Sequence, residues 1–315
     1  MSKPPLISVI SPVYGCRNCL EALADALRDT FDGSALDWEL VLVDDRGPDQ
    51  PWPLIMELAA RDPRIRGIRL ARNHGQHLAI WTGLEAARGD FVAVIDCDLQ
   101  DDPAIVPILY REALATQADA VVVDRGEWSD SGFRRQASRL FYRVMELFGG
   151  LKLNNNIGNF GIYSRRLVDT LLQFRDKEVF LPVMVALTGL PSITYQVPRS
   201  GRHAGKSSYN IIRLIKMAVA IIIRFSDRPL KLSVVVGALF SSLATLVSVL
   251  LLLAWSLSDF TVPGWTSLIL SLWFLAGLIL AVLGVQGIYI GRIFAEVQDR
   301  PRIFVEETTD TGLRP

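Results

Sequence analysis

Two stretches without one charged side chain, residues 232–255 and 265–290, limit what this chain can fold into more than any other feature. They run for 24 and 26 positions. At about 1.5 Å per helical residue, each outreaches the roughly 30 Å hydrocarbon core of a bilayer. One such run could be the core helix of a soluble protein; two in tandem predict a transmembrane hairpin. The turn between them carries Asp259 and no Lys or Arg, whereas Arg224, Arg228 and Lys231 precede the first run and Arg292, Arg300 and Arg302 follow the second. The positive-inside rule then puts both termini in the cytoplasm, with Trp255 and Trp265 as anchors at the far interface. Just ahead, residues 211–225 set Arg213, Lys216 and Arg224 among apolar residues, the pattern of an amphipathic helix lying on the cytoplasmic membrane face.

The rest of the chain reads differently. Residues 1–210 form the expected soluble domain, 211–231 the juxtamembrane helix, 232–292 the hairpin and 293–315 a cytoplasmic tail. The first residues lead directly into strand-like sequence, with no basic segment and apolar run of a secretory signal. With 33 basic and 33 acidic residues the charge is balanced, so a general attraction to nucleic acid is not expected.

Within the soluble part, β-rich runs at residues 6–13, 39–43, 65–70, 91–95 and 120–123 alternate with helical patterns. That alternation predicts βαβ units and a doubly wound, Rossmann-like, mostly parallel α/β sheet. Pro12 should end the first strand. Asn18 and Glu21 have the spacing of a capping box before the first helix. Helices are expected near 53–60, 77–87 and 104–116, and a short strand at Ile162 and Tyr163.

Residues 89–103 carry the chemistry. The apolar run stops at Asp96, and Asp98, Asp101 and Asp102 follow at once. Clustered carboxylates are expensive to bury unless paired or bound to a metal, and the carboxyl edge of a parallel sheet is where ligands sit. Asp96 and Asp98 could hold one Mg²⁺ or Mn²⁺ bridging to a substrate's phosphates. The alternative is a turn rich in helix caps, and Asp102-Pro103 is a helix start signal. Pro12, Tyr14, Asp44 and Asp45 end neighbouring strands on the same edge. Neither GxGxxG nor GxxxxGK[ST] occurs, which weighs against dinucleotide oxidoreductases and P-loop NTPases and leaves a nucleotide diphosphate held through a metal.

Other features are less specific. Cys16 and Cys19 have CxxC spacing without a second pair, so neither a zinc nor a redox role is expected, and all three cysteines, with Cys97, should be reduced. Arg135, Arg139 and Arg143 share one helix face, either a solvated surface or an anion site. The polar loop 199–209 is either a phosphate-gripping lid or a linker.

Taken in order, the motifs resemble a known family. They are Ile10-Ser11-Pro12-Val13-Tyr14, Val41-Leu42-Val43-Asp44-Asp45, Ala71-Arg72-Asn73-His74-Gly75-Gln76 and the Asp96-Cys97-Asp98-Leu99-Gln100 run. Ser138-Arg139-Leu140-Phe141-Tyr142, Asn159-Phe160, Gly205-Lys206-Ser207-Ser208-Tyr209 and Phe225-Ser226-Asp227-Arg228-Pro229-Leu230 follow. The chain is similar to membrane-bound family 2 glycosyltransferases with a GT-A fold, in the polyprenyl-phosphate branch. The resemblance implies a hexosyltransferase of the cytoplasmic membrane that moves one sugar, with inversion, from a nucleotide-diphosphate sugar to undecaprenyl or dolichyl phosphate for cell-envelope glycans. A UDP-sugar is the donor by analogy alone. It implies Pro12, Tyr14, Asp44, Asp45, Arg72 and Gln76 around the nucleotide sugar. It places Asp96 and Asp98 as catalytic groups that hold Mg²⁺ or Mn²⁺ with Gln100, and Arg134, Arg139, Arg202 and Lys206 on the acceptor phosphate.

Four departures stand out. Gly15-Cys16 replaces the usual Asn-Glu, Cys97 the usual Ala, Asn159 a frequent Asp, and the loop lysine is displaced to Lys206. A phosphate monoester, with a second pKa of about 6, is already largely ionised and needs little help from a base at Asn159. A processive polysaccharide synthase is disfavoured because no Gln-x-x-Arg-Trp motif occurs. A non-catalytic membrane scaffold with a decayed transferase domain is the remaining alternative. Gly277, Gly284 and Gly287 in the second run would permit close packing between copies of the chain.

Overall fold

A computed structural model describes residues 4–124, 157–177, 179–197, 228–257 and 264–310. Contacts divide it into two units: residues 1–132, 153–205 and 300–315 form one, and 133–152 with 206–299 the other.

The first unit is an eight-stranded sheet. Its strands are β1 (Leu6–Val13), β2 (Asp37–Asp44), β3 (Ile65–Leu70), β4 (Phe91–Val94), β5 (Ala120–Asp124), β6 (Ile157–Ser164), β7 (Ser192–Gln196) and β8 (Val305–Thr308). They lie in the order β7-β5-β6-β4-β1-β2-β3-β8. The centre, β4-β1-β2-β3, is parallel as expected. β6, however, runs antiparallel to both β4 and β5, and β8 runs antiparallel to β3. β5 and β7 run the same way as the centre, so six of the eight strands share one direction and the sheet is mostly parallel, as expected, with β6 and β8 reversed.

Helices cover both faces, which is why the central strands are apolar at nearly every position. Side chains alternate along each strand. Val9, Leu40 and Leu42 pack on one face with Leu20, Leu23, Leu27 and Phe31 of α1 (Leu20–Phe31), Ile55 and Leu58 of α2 (Trp52–Arg61), and Leu109 of α4 (Val106–Thr116). Ile10, Val41, Val43 and Val94 pack on the other with Ile80, Trp81 and Leu84 of α3 (Gln76–Ala86). Leu167 and Leu171 of α5 (Arg165–Leu171) and Met184 of α6 (Leu181–Thr188) extend that second layer. Each such side chain contributes about 1.5–3 kcal/mol by leaving water. Gly83 sets how closely α3 lies on the sheet, since a Cβ there would collide with Ile10.

Three local expectations change. β1 continues through Pro12 to Val13, because Pro12 stands near the strand's end, where a missing amide does little harm. No capping box forms at Asn18. A 3-10 turn, Arg17–Cys19, already precedes α1, and Asp49 accepts hydrogen bonds from the Arg17 and Gly15 amides. The strand expected at two residues is eight residues long.

The segment expected as a tail supplies β8. It covers the edge of β3, with Ala71 N donating to Phe304 O at 2.8 Å and Thr309 N to Gly67 O at 2.9 Å. Asp310 takes an ion pair from the buried Arg66 at 3.1 Å and another from Arg88. Arg66 in turn meets Glu39 at 2.8 Å, and Ser8 Oγ donates to the same carboxylate.

The second unit contains two long helices, α7 (Arg228–Leu257) and α8 (Trp265–Val297). Phe240 and Phe274 meet between them, with ring centroids 5.8 Å apart. Among the described residues, Ser271–Val297 is long and apolar enough to cross a membrane; within α7 only a shorter apolar segment, Leu230–Phe240, qualifies as such. The two-span expectation is thus met in one helix by this measure. Residues 211–225 lie outside the described residues.

Candidate functional site

The carboxyl ends of β2, β1 and β4 lie side by side, so Asp44, Tyr14 and Asp96 fall on neighbouring chains. Two strand spacings put Asp44 and Asp96 about 10 Å apart across β1. Tyr14 follows β1 and is 56% exposed, its ring presented to solvent beyond Pro12.

Asp44 and Asp45 are both almost fully buried. Asp44 accepts from the Gly47 amide at 3.1 Å and lies 3.7 Å from the Arg69 guanidinium. Burial raises its pKa above the ordinary carboxylate value, against the lowering effects of the Gly47 amide and Arg69. Asp45 accepts from the His74 amide at 2.6 Å and from the Gly75 amide at 2.8 Å. Burial raises its pKa too, and outweighs those two bonds. Both oxygens of Asp45 are therefore committed to the loop that carries Arg72 and leads into α3. It thereby positions that loop. The loop ends on Gly75, whose φ of 91° is open to glycine alone at little cost.

Gln76, the first residue of α3, turns its side chain back to the sheet edge and donates to Asp96 Oδ1 at 2.7 Å. The two expected donor-site residues are thus in direct contact. Asp98 and Gln100 are exposed, and Asp98 Oδ1 accepts from the Gln100 amide at 3.1 Å. Leu99 between them takes a left-handed backbone with φ of 58°, a strained conformation that persists where surroundings or function require it. Asp102 caps the following turn by accepting from the Ala104 amide at 2.9 Å, as its pairing with Pro103 suggested. Asp101 is buried. Arg72 is exposed in the loop before α3, and Asn159 lies on β6.

Among the described residues no three His, Cys, Asp or Glu side chains converge on a metal position. Asp96 and Asp98 nevertheless fit the kind of site Mg²⁺ and Mn²⁺ use, in which one or two carboxylates act with substrate phosphates and water. Arg134, Arg139, Arg202 and Lys206 lie outside the described residues.

Two features of the edge escaped sequence reasoning. Asp49 fastens the loop after β1 from 32 residues away. Cys16 and Cys97 form a disulfide across 81 residues, where reduced thiols were expected. Only strand adjacency in the folded sheet brings these partners together, and no local pattern encodes it.

Residues 8–172 match glycosyl transferase family 2, and the chain belongs to that family. Among its relatives, the undecaprenyl-phosphate 4-deoxy-4-formamido-L-arabinose transferase of Pseudomonas fluorescens is 32% identical, over 96% of this chain and 89% of that protein. The SfII prophage-derived bactoprenol glucosyl transferase of Shigella flexneri is 29% identical, over 96% of this chain and 98% of that protein. Among solved structures, a mannosyltransferase from Pyrobaculum calidifontis in complex with GDP-Man and Mn²⁺ aligns at a TM-score of 0.46 and 16% identity, over 94% of this chain and 88% of that one.

Proposed function

We propose that this protein transfers one sugar, with inversion, from a nucleotide-diphosphate sugar, by analogy a UDP-sugar, to a polyprenyl phosphate at the cytoplasmic face of a membrane. The observation that carries the reading is that the relatives named for undecaprenyl-phosphate and bactoprenol substrates match nearly the whole chain, long apolar helices included. The likeness therefore extends past the sugar-nucleotide domain to the part that would meet a lipid.

In this reading Tyr14 and Asp44 receive the nucleoside, and Asp45 holds the Arg72 loop in place beside it. Asp96, steadied by Gln76, and Asp98 face the diphosphate. A divalent cation bound there, with Gln100 nearby, would offset the negative charge of the leaving nucleoside diphosphate. An acceptor phosphate oxygen bonds to the anomeric carbon as the bond from that carbon to the diphosphate oxygen breaks. The acceptor is an anion before it arrives, so the site must orient it rather than deprotonate it. Arg134, Arg139, Arg202 and Lys206 are the proposed cationic grip.

The membrane mount has support from connectivity. The chain leaves the sheet after β7 and returns to it as β8, so any crossings between them must be even in number. If α8 crosses, α7 is the natural partner: its 30 residues span about 45 Å. The loop between them, with Asp259 and no basic residue, then faces away from the cytoplasm.

Asp98→Ala tests the reading. Transfer of radiolabelled sugar to extractable lipid should fall at least about a hundredfold, with the protein still folded in the membrane, and EDTA should inhibit the wild type. Near wild-type turnover in the variant would reject the assignment, as would a polymeric product.

A further inference from the structure

Cys16 lies in the loop after β1 and Cys97 between Asp96 and Asp98; their Cα atoms are 6.3 Å apart and a disulfide joins them. β1 and β4 are adjacent, with Ile95 N donating to Ile10 O at 2.9 Å, so the loops that leave them run side by side. Asp49 holds the first through the Gly15 and Arg17 amides, and Gln76 holds the second through Asp96. The disulfide ties one loop to the other across the mouth of the candidate donor site.

We propose that Cys16 and Cys97 are a reversible redox clasp on the donor site, open as two thiols in the working protein and closed under thiol-oxidising conditions, when transfer is slowed. Residues 96–100 carry both carboxylates, and a covalent tie from position 97 to the loop after β1 resists any adjustment of them around an incoming diphosphate. A cytosolic domain meets a reducing thiol pool, so the open form is the resting one. The oxidant is a low-molecular-weight disulfide. One cysteine thiolate attacks it and expels a thiol; the second cysteine thiolate then attacks the mixed disulfide and expels the other. Two protein thiols are oxidised, one small disulfide is reduced to two thiols, and the cysteine protons end on those leaving groups.

The effect on transfer rests on the donor-site reading; the clasp itself does not. Full-length protein in nanodiscs would be equilibrated with reduced and oxidised glutathione, alkylated and peptide-mapped, with hydrogen exchange followed over residues 13–19 and 95–102. Oxidation should yield one Cys16–Cys97 link with Cys19 alkylated throughout, and should slow exchange in both loops. Sugar transfer should fall about tenfold or more, the scale set by small misplacements of reacting groups, and dithiothreitol should restore it. Cys97→Ala should keep transfer and lose every response to oxidised glutathione. Persistent alkylation of Cys97, a Cys16–Cys19 link in its place, or a closed clasp with undiminished transfer would each overturn the proposal. A clasp that forms and slows exchange in a protein transferring no sugar in either state upholds the clasp and overturns the donor reading instead.

Discussion

Asp44 and Asp45 are neighbours, equally buried, and differ in what they hold. Asp44 keeps one oxygen toward Gly47 and the other near Arg69, whereas Asp45 gives both to the His74 and Gly75 amides. The sequence marks the pair as ligand-type residues at a strand's end. It does not divide their tasks, because that division depends on a loop 29 residues further along the chain. The contact between Gln76 and Asp96 was equally hidden, although each residue alone was singled out. Buried carboxylates whose pKa values rise despite two good hydrogen bonds are held at an energetic cost, a common mark of working sites. Asp45→Asn keeps the shape but turns an NH₂ toward one of the two amides. It should destabilise the domain by about 2 kcal/mol, seen in thermal unfolding, and should raise KM for the donor with a smaller change in kcat. Loss of kcat alone, with KM and stability untouched, would instead make Asp45 a reacting group.

At the scale of elements, the central parallel strands were legible because burial on both faces forces continuous apolar runs. β6 was harder to see. Its glycines look like turn punctuation, yet Gly161 is there because a Cβ would press to 2.8 Å from Val121 O on the neighbouring strand. β8, Val305-Glu306-Glu307-Thr308, has no apolar alternation at all. It is held by cross-strand charge: Glu306 pairs with Arg46 and Glu307 lies 3.6 Å from Arg69, while Asp310 meets Arg66 just beyond. Such pairs are readable only once the partner strand is known. Ending the chain after Arg302 would strip β3 of its covering strand and remove one of two carboxylates from a buried arginine. The expected cost is about 3 kcal/mol, since an arginine in that setting loses part of its compensation. Faster amide exchange in β3 and a lower melting temperature should report it. Because Arg46 and Arg69 adjoin Asp44, donor affinity should fall as well. An unchanged β3 exchange rate would mean that β8 only decorates the edge.

For the whole molecule, charge distribution suggested two crossings and a cytoplasmic catalytic domain, while the described helices supply one segment that meets the criterion for spanning. Closure of the sheet adds an independent constraint, because β8 must return to the side where β1–β7 reside. A single crossing by α8 would strand β8 across the bilayer from its partner β3, forfeiting a row of backbone hydrogen bonds and the ion pairs of Arg66 and Arg69. Because β8 pairs with β3 in the sheet that also holds β7, any crossings between β7 and β8 are even in number. Single cysteines in a background lacking Cys16, Cys19 and Cys97 test this directly. In intact cells with a permeable outer layer, Asp259→Cys should react with a membrane-impermeant maleimide, whereas Lys3→Cys and Thr311→Cys should react only after the membrane is opened. Labelling of Asp259→Cys only after opening would place the inter-helix loop with the termini and remove the hairpin. Opposite behaviour of Lys3→Cys and Thr311→Cys would mean an odd number of crossings, and would contradict the pairing of β8 with β3.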